Sequence, residues 1–181
     1  ITGGEPLVRR DLAILIKKLK KISGVNSVTL TTNGVLLEEN LDALLEAGLD
    51  GVNISLDSLN KENYESLTSR EGFEKTMRGI GAALKHPSLR VKVNCVPIKG
   101  KNDKELVDIA KLAENKLLSV RFIEMMPIGY GKNFEFMGEE EIIELLEEAL
   151  GPLKVTDEAM GSGPAHYYEA EGFMGRIGFI S

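Results

Sequence analysis

The pattern that most restricts the fold is an alternation of two periods. Short segments rich in β-branched residues recur along the chain, each followed by a longer stretch in which apolar residues return every three or four positions. A period of two suits a strand with two faces, and a period near 3.6 suits an amphipathic helix. Their regular succession predicts βα units and a parallel sheet, an α/β chain. Strands are predicted over 27–32, 51–56, 90–96 and 119–125, with residues 1–2 as the tail of a fifth. Leu12, Leu15, Ile16 and Leu19 make the apolar stripe of one helix, and Leu41, Leu44 and Leu45 that of the next, which Gly48 closes as a C-terminal cap. A short helix is predicted over 61–67, another over 72–84 through Phe73, Met77, Ile80 and Leu84, and a crossover helix over 103–115. Parallel crossovers are almost always right-handed, so successive units curl toward a TIM-like barrel, closed or partial; a doubly wound open sheet is the alternative. After residue 127 the rhythm changes to a loop rich in Gly and aromatics, an acidic helix over 139–150 ending at Gly151-Pro152, and a hairpin over 166–180. Residues 1–127 are therefore read as barrel and 128–181 as the start of a C-terminal extension packed on it.

Composition narrows the function classes. The net charge of -6, with no long Lys/Arg cluster, argues against nucleic acid, although a few cations converging in a cleft suffice for a small anion. No apolar run approaches the ~20 residues that span a bilayer, so no membrane association is expected and a cytoplasmic location is the default. The single cysteine, Cys95, rules out an intrachain disulfide and cannot alone hold a metal. The opening Ile1-Thr2-Gly3-Gly4 reads as a strand-to-loop junction and the end at Ser181 follows an apolar stretch, so the chain is expected to be a piece of a longer protein. Such a piece would expose an unpaired sheet edge and is expected to self-associate or to be marginally stable.

A parallel strand covered on both faces is normally apolar throughout. These strands are not. Val52, Ile54 and Leu56 alternate with Asn53, Ser55 and Asp57; Val91 and Val93 alternate with Lys92 and Asn94; Thr29 and Thr31 share a face. With the apolar set toward the helices, Asn53, Ser55, Asp57, Lys92 and Asn94 point into the lumen. A buried polar group without a partner costs roughly 1–3 kcal/mol, so this face needs water, a mutual hydrogen-bond network or a polar ligand. Thr31 to Gly34, Ser55 to Asp57, Asn94 to Pro97 and Glu124 to Pro127 fall at carboxyl ends of strands, where barrel active sites are built.

Thr2-Gly3-Gly4-Glu5-Pro6 is a paired-glycine turn that lets a backbone approach a ligand. Together with Leu30-Thr31-Thr32-Asn33-Gly34, Asn53-Ile54-Ser55-Leu56-Asp57, Val91-Lys92-Val93-Asn94, Arg121-Phe122-Ile123-Glu124-Met125-Met126-Pro127-Ile128-Gly129 and Gly175-Arg176-Ile177-Gly178-Phe179-Ile180, it resembles the radical S-adenosylmethionine (SAM) family. Within that family it resembles the GTP 3',8-cyclase branch that opens molybdenum cofactor biosynthesis. The resemblance implies a partial (βα)6 radical SAM barrel, incomplete here. It also implies an enzyme, a lyase, in which a reduced four-iron four-sulfur (4Fe-4S) cluster cleaves S-adenosylmethionine to a 5'-deoxyadenosyl radical. That radical takes the 3' hydrogen of GTP, and the ribose carbon then attacks C8 of guanine to give 3',8-cyclo-7,8-dihydro-GTP.

Carried over by motif, the resemblance implies SAM contacts at Gly3, Gly4, Glu5, Ser55 and Met126, and GTP contacts at Thr31, Lys92 and Arg121. Lys92 also makes physical sense, since an inward ammonium is costly unless an anion meets it. The face of Arg121 is open, because Glu124 and Met126 share the other parity. Asn33, Asn53, Asp57, Asn94 and Glu124 are expected to line the lumen. The family's cluster cysteines would precede Ile1 and follow Ser181, so no metal ligand is expected in this chain and it alone is expected to be inactive. GTP is the implied partner, a homodimer is left open, and cyclic pyranopterin monophosphate synthase follows by pathway only. Cys95, Met77, Met125 and Met160 read as packing residues, His86 and His166 as structural, and the acidic face of 139–148 as solvated. Two other readings stand beside the cyclase: another radical SAM enzyme that modifies a peptide or cofactor, and a noncatalytic nucleotide-binding barrel.

Overall fold

The computed structural model describes residues 1–125, 134–156 and 164–181. Its strands are β1 (Thr29–Thr32), β2 (Gly51–Ser55), β3 (Arg90–Cys95), β4 (Leu118–Ile123), β5 (Lys154–Thr156), β6 (His166–Glu169) and β7 (Arg176–Ile180). The helices are α1 (Leu12–Leu19), α2 (Leu37–Glu46), α3 (Lys61–Thr68), α4 (Phe73–Ala83), α5 (Leu106–Ala110) and α6 (Glu139–Leu150). All strands join one sheet in the order β1-β2-β3-β4-β7-β6-β5. The pairs from β1 through β4 to β7 are parallel, and β6 and β5 close that side antiparallel.

The predicted βα rhythm holds through α4, and so does the α/β partial barrel. Gly48, with φ +93, ends α2: its N–H bonds the Leu45 carbonyl while Leu49 N–H reaches back to Leu44. Most element ends shift by one or two residues, and the larger departures are these. The 103–115 crossover is not one helix but the five-residue α5 between 3-10 turns at Asp103–Glu105 and Lys111–Ala113. The Glu105 carboxylate is drawn away to the Ser58 hydroxyl and the Leu59 and Asn60 N–H groups, which anchors that turn across the fold. β4 stops at Ile123, two residues short of the expected end. The hairpin, expected as part of an extension packed on the barrel, instead contributes to the sheet itself: Met174 and Gly175 N–H groups bond the Glu114 and Ala113 carbonyls and steer β7 alongside β4. Residues 1–2 form no strand, yet the Ile1 carbonyl accepts Thr31 N–H, so the segment runs along the outer side of β1.

One face of the sheet is apolar and carries the helices. Leu30, Val52, Ile54, Val93, Val120, Phe122, Ile177 and Phe179 pack against Leu37, Leu44, Ile80, Ile109, Ile142 and Leu146 in a single core. Register then sets what the opposite face presents, because residues paired across neighbouring strands project to the same side. Two rows result: Thr31, Asn53, Lys92, Ser119 and Arg176; and Ser55, Asn94, Arg121, Gly178 and Tyr167. By this register Asn53, Ser55, Lys92 and Asn94 share the face away from the helices, and Arg121, whose face parity left open, stands with them. No helix among the described residues is long and apolar enough to cross a membrane.

Candidate functional site

Where the turn at residues 3–5 meets the carboxyl ends of β1 and β2, the chain leaves an open pocket of about 290 Å³. Its lining is Gly3, Gly4, Glu5, Thr31, Thr32, Asn33, Ser55 and Arg70. Six of these were singled out in the sequence, from segments as far apart as residues 3 and 55, and the fold brings them to one place. A Cβ built on Gly3 or Gly4 would meet no atom within 4 Å, so a ligand can approach this backbone unobstructed.

Glu5 faces inward to the protein. Its Oε1 accepts from the Thr32 hydroxyl at 2.7 Å and from Leu7 N–H at 3.0 Å, and its Oε2 accepts from Asn33 N–H at 2.8 Å. The carboxylate thus ties the glycine turn to the end of β1. Asn33 continues the tie: its Oδ1 accepts Val35 N–H, and its carbonyl accepts the buried Thr76 hydroxyl. Arg70 is the residue that sequence reading missed. Ser69, at φ 53, ends α3 in the left-handed region, and the chain turns there to put Arg70, the lining's one cation, at the pocket. The one available signal was a basic residue directly after a helix C-terminus.

Toward β3, β4 and β6 the polar face becomes cationic. Lys92 Nζ donates to the Tyr167 phenol at 2.9 Å and sits 5.2 Å from the centre of that ring. Arg121, only 8% exposed, donates from Nε to Asn94 Oδ1 at 2.9 Å and has no carboxylate partner among the described residues. Gly178 makes this possible: a Cβ there would lie 2.7 Å from the Tyr167 ring and 3.3 Å from Arg121 Cγ. Nearer the pocket, Asn53 Nδ2 donates to the Thr31 hydroxyl at 3.2 Å. The polar face is therefore part mutual hydrogen-bond network and part open pocket.

Asp57 and Glu124 end outside these rows. Asp57 Oδ1 accepts Val96 N–H at 2.8 Å and its carbonyl accepts Asn102 Nδ2 at 2.7 Å, so it joins the ends of β2 and β3. Burial raises its carboxyl above the ordinary range, against the opposing pull of the Val96 N–H. Glu124 follows the last residue of β4, half-buried, with its N–H on the Ile180 carbonyl. Met126 and Met160 lie outside the described residues. Cys95 is buried on the helix side, and burial, then the charges of Asp57 and Glu105, push its thiol well up, which leaves it an inert core residue. His166 stacks on Phe179 and bonds Glu139 of α6, a structural contact. A further cavity of about 220 Å³ lies at the amino ends of β3, β4 and β7 among Arg90, Leu117, Met174 and Arg176, away from the glycine turn.

The model of the radical SAM superfamily matches residues 1–113. The chain belongs to the radical SAM superfamily. Its similarity to a GTP 3',8-cyclase of Alkaliphilus oremlandii is 42% identity over 100% of the chain and 56% of that protein. A protein of Dictyostelium discoideum named molybdenum cofactor biosynthesis protein 1 is 38% identical over 99% of the chain and 29% of its own length. The chain thus spans about half the length of the bacterial relative and less of the other. Among solved structures, a domain of pyruvate-formate lyase-activating enzyme from Bacteroides vulgatus superposes with a TM-score of 0.62 at 16% identity, covering 82% of this chain and 91% of that one, a likeness of fold.

A radical SAM chain calls for an adenosyl cofactor and an iron-sulfur cluster, and its residues fit the two differently. The pocket has the backbone cradle, hydroxyls and cation that suit a molecule with amino-acid and ribose ends. The cluster needs thiolates, whereas the one cysteine is buried beneath the sheet, and no group of three or more His, Cys, Asp and Glu residues among those described could hold a metal. These residues do not ligate a cluster.

Proposed function

We propose that the protein to which this chain belongs is the radical SAM GTP 3',8-cyclase of molybdenum cofactor biosynthesis, and that this chain carries its cofactor cradle and part of its nucleotide site. The observation that carries the reading is the pair Lys92 and Arg121 on the polar face of the sheet. A guanidinium 8% exposed and without a carboxylate among the described residues is a buried charge suited to an anion. It shares its sheet face with Lys92, and that face continues across Asn53 to the glycine-turn pocket. A nucleotide triphosphate lying along it would place its phosphates at the two cations and its sugar toward the cradle. Relatives that carry the cyclase name over the whole of this chain support the same reading.

In this reading Gly3, Gly4, Ser55 and Arg70 hold S-adenosylmethionine, with Met126 as a further contact, while Thr31, Lys92 and Arg121 hold GTP. When bound and reduced, the cofactor supplies one-electron chemistry at an unactivated C–H bond. This chain's contribution is orientation. Glu5 fixes the cradle against β1, Asn53 holds the Thr31 hydroxyl, and the apolar layer of Ile54, Val93 and Phe122 beneath the sheet keeps the polar rows rigid. The ligands of the iron-sulfur cluster come from outside these residues.

The test uses the full-length protein, reconstituted anaerobically with S-adenosylmethionine, reductant and GTP. Formation of 5'-deoxyadenosine with a cyclised guanine nucleotide is expected, and Lys92→Ala is expected to weaken GTP binding by about tenfold or more. Cofactor cleavage without a GTP-derived product, together with unchanged GTP affinity in Lys92→Ala, would point to another substrate.

A further inference from the structure

Asn33 lines the glycine-turn pocket with all but one of its polar groups already engaged. Its N–H donates to Glu5 Oε2 at 2.8 Å, its side-chain Oδ1 accepts Val35 N–H at 2.9 Å, and its carbonyl accepts the Thr76 hydroxyl at 2.9 Å. The Oδ1 contact fixes which way the amide is turned, so Nδ2, with two hydrogens to give, is the end left over. It meets no acceptor among the described residues.

The carbonyl contact comes from behind the sheet end. Thr76 belongs to α4 and is fully buried, and it spends its single hydroxyl hydrogen on Asn33. Toward the Tyr64 phenol, 3.1 Å away, it can therefore only accept, so hydrogens run one way from Tyr64 to Thr76 to Asn33. Two glycines let α4 come this close: a Cβ on Gly79 would lie 2.6 Å from the Gly34 carbonyl oxygen, and one on Gly34 would lie 3.2 Å from Thr76 Cγ2. An apolar pair would fill the same space without the cost of burying two hydroxyls. What the hydroxyls add is a fixed seat for the Asn33 carbonyl, and with it a fixed aim for the amide.

The same part of the fold brings in a charge. Thr68, one turn on from Tyr64 in α3, has its hydroxyl 2.8 Å from the Tyr64 carbonyl and 3.1 Å from the Arg70 carbonyl, so Tyr64 and Arg70 belong to one clamped turn. Asn33, Arg70 and Glu5 line both the glycine-turn pocket and an adjoining cavity of about 260 Å³, whereas Glu71 lines the second alone. Glu5 has its oxygens occupied by Thr32, Leu7 and Asn33. A guanidinium and an amide NH2 then flank one space, both donors only, which suits a carboxylate.

We propose that Asn33 Nδ2 and Arg70 bind the carboxylate at the methionine end of S-adenosylmethionine, and that Tyr64 and Thr76 are positioning residues that aim the Asn33 amide from behind. This inference rests on the cofactor reading of the pocket given above and adds which end of the cofactor lies there.

The full-length protein, reconstituted with its cluster and left unreduced so that nothing turns over, is titrated with S-adenosylmethionine and with its decarboxylated analogue, and each variant is melted. The unaltered protein is expected to prefer S-adenosylmethionine. Asn33→Asp keeps the acceptor for Val35 N–H and loses both donors. Its affinity for S-adenosylmethionine is expected to fall about tenfold or more, the effect of losing a hydrogen bond to a charged group, with no loss for the analogue. Arg70→Gln is expected to do the same. Thr76→Val, which keeps the shape without the hydroxyl, and Tyr64→Phe are expected to erode the preference by a smaller factor, and Thr76→Ser to retain it. In the Asn33→Asp background neither is expected to change it further, because these groups act as a unit. An unchanged preference in Asn33→Asp overturns the carboxylate assignment. Thr76→Val and Tyr64→Phe proteins that melt earlier yet keep the full preference make that pair merely structural and overturn its positioning role. Were the unaltered protein to bind both compounds equally, the cofactor reading would stand and this inference would fall; were it to bind neither, both would fall.

Discussion

Glu5 offers the sharpest separation between a residue that touches a ligand and one that holds the place where a ligand sits. Its motif marks it as a cofactor contact, but both oxygens are already engaged by Thr32, Asn33 and Leu7 at 2.7, 2.8 and 3.0 Å. Hydrogen bonds to a charged group contribute about 1.5–3 kcal/mol each, and bonds that share one part-exposed carboxylate do not add in full. Glu5→Ala is therefore expected to destabilise folding by about 2–4 kcal/mol. For a chain of this size that corresponds to a drop in melting temperature of roughly 5–15 °C. Glu5→Gln keeps one acceptor but sets an amide N–H against Thr32 or Asn33, and is expected to lose about half as much. The assay is urea unfolding of the full-length variants alongside titration with S-adenosylmethionine. Cofactor affinity should fall in step with stability, Glu5→Ala more than Glu5→Gln, because the cradle loosens as its tie to β1 weakens. A variant with undiminished stability and no cofactor binding would refute this, and would make Glu5 a direct contact after all.

Two further outcomes follow from groups beneath and beside the site. Asp57 has its folded-state carboxyl raised above the unfolded value, so the folded protein binds the proton more tightly, and its stability falls as pH rises through the interval between the two values. Asp57→Asn is expected to be more stable than the unaltered protein at pH 7, with the difference fading below the ordinary carboxyl range near pH 4; equal urea midpoints at both pH values would refute it. Phe122, fully buried against Phe179 with ring centres 5.8 Å apart, is expected to cost about 3–5 kcal/mol on truncation to Ala; a loss under about 1 kcal/mol in the same assay would mean that the core collapses to fill the space.

Much of the site was legible because strand side chains alternate. Val52-Asn53-Ile54-Ser55 and Val91-Lys92-Val93-Asn94 each sort themselves into two faces without reference to any other part of the chain. Placing the apolar set against amphipathic helices then tells which face is left for ligands. Arg121 resisted the same treatment, because Glu124 and Met126, marked by the same motif, fall on the other parity. Only its register with Asn94 places it. Arg70 and Tyr167 carried no distinguishing signal, since a basic residue after a helix and an aromatic in a hairpin are both ordinary.

By itself, the sequence determined what depends on near neighbours: the βα order, the two faces of each strand, the Gly48 cap and the open glycine turn. The physical reason is that backbone period, steric freedom and hydrogen-bond offsets act over a few residues. Tertiary structure alone decided what depends on pairing across distance. It slotted β7 beside β4, engaged Glu5 with β1, and brought Tyr167 onto Lys92 through the space at Gly178. Those contacts join segments 27 and 75 residues apart, and only the packed sheet selects them from the many pairings that the same local patterns allow.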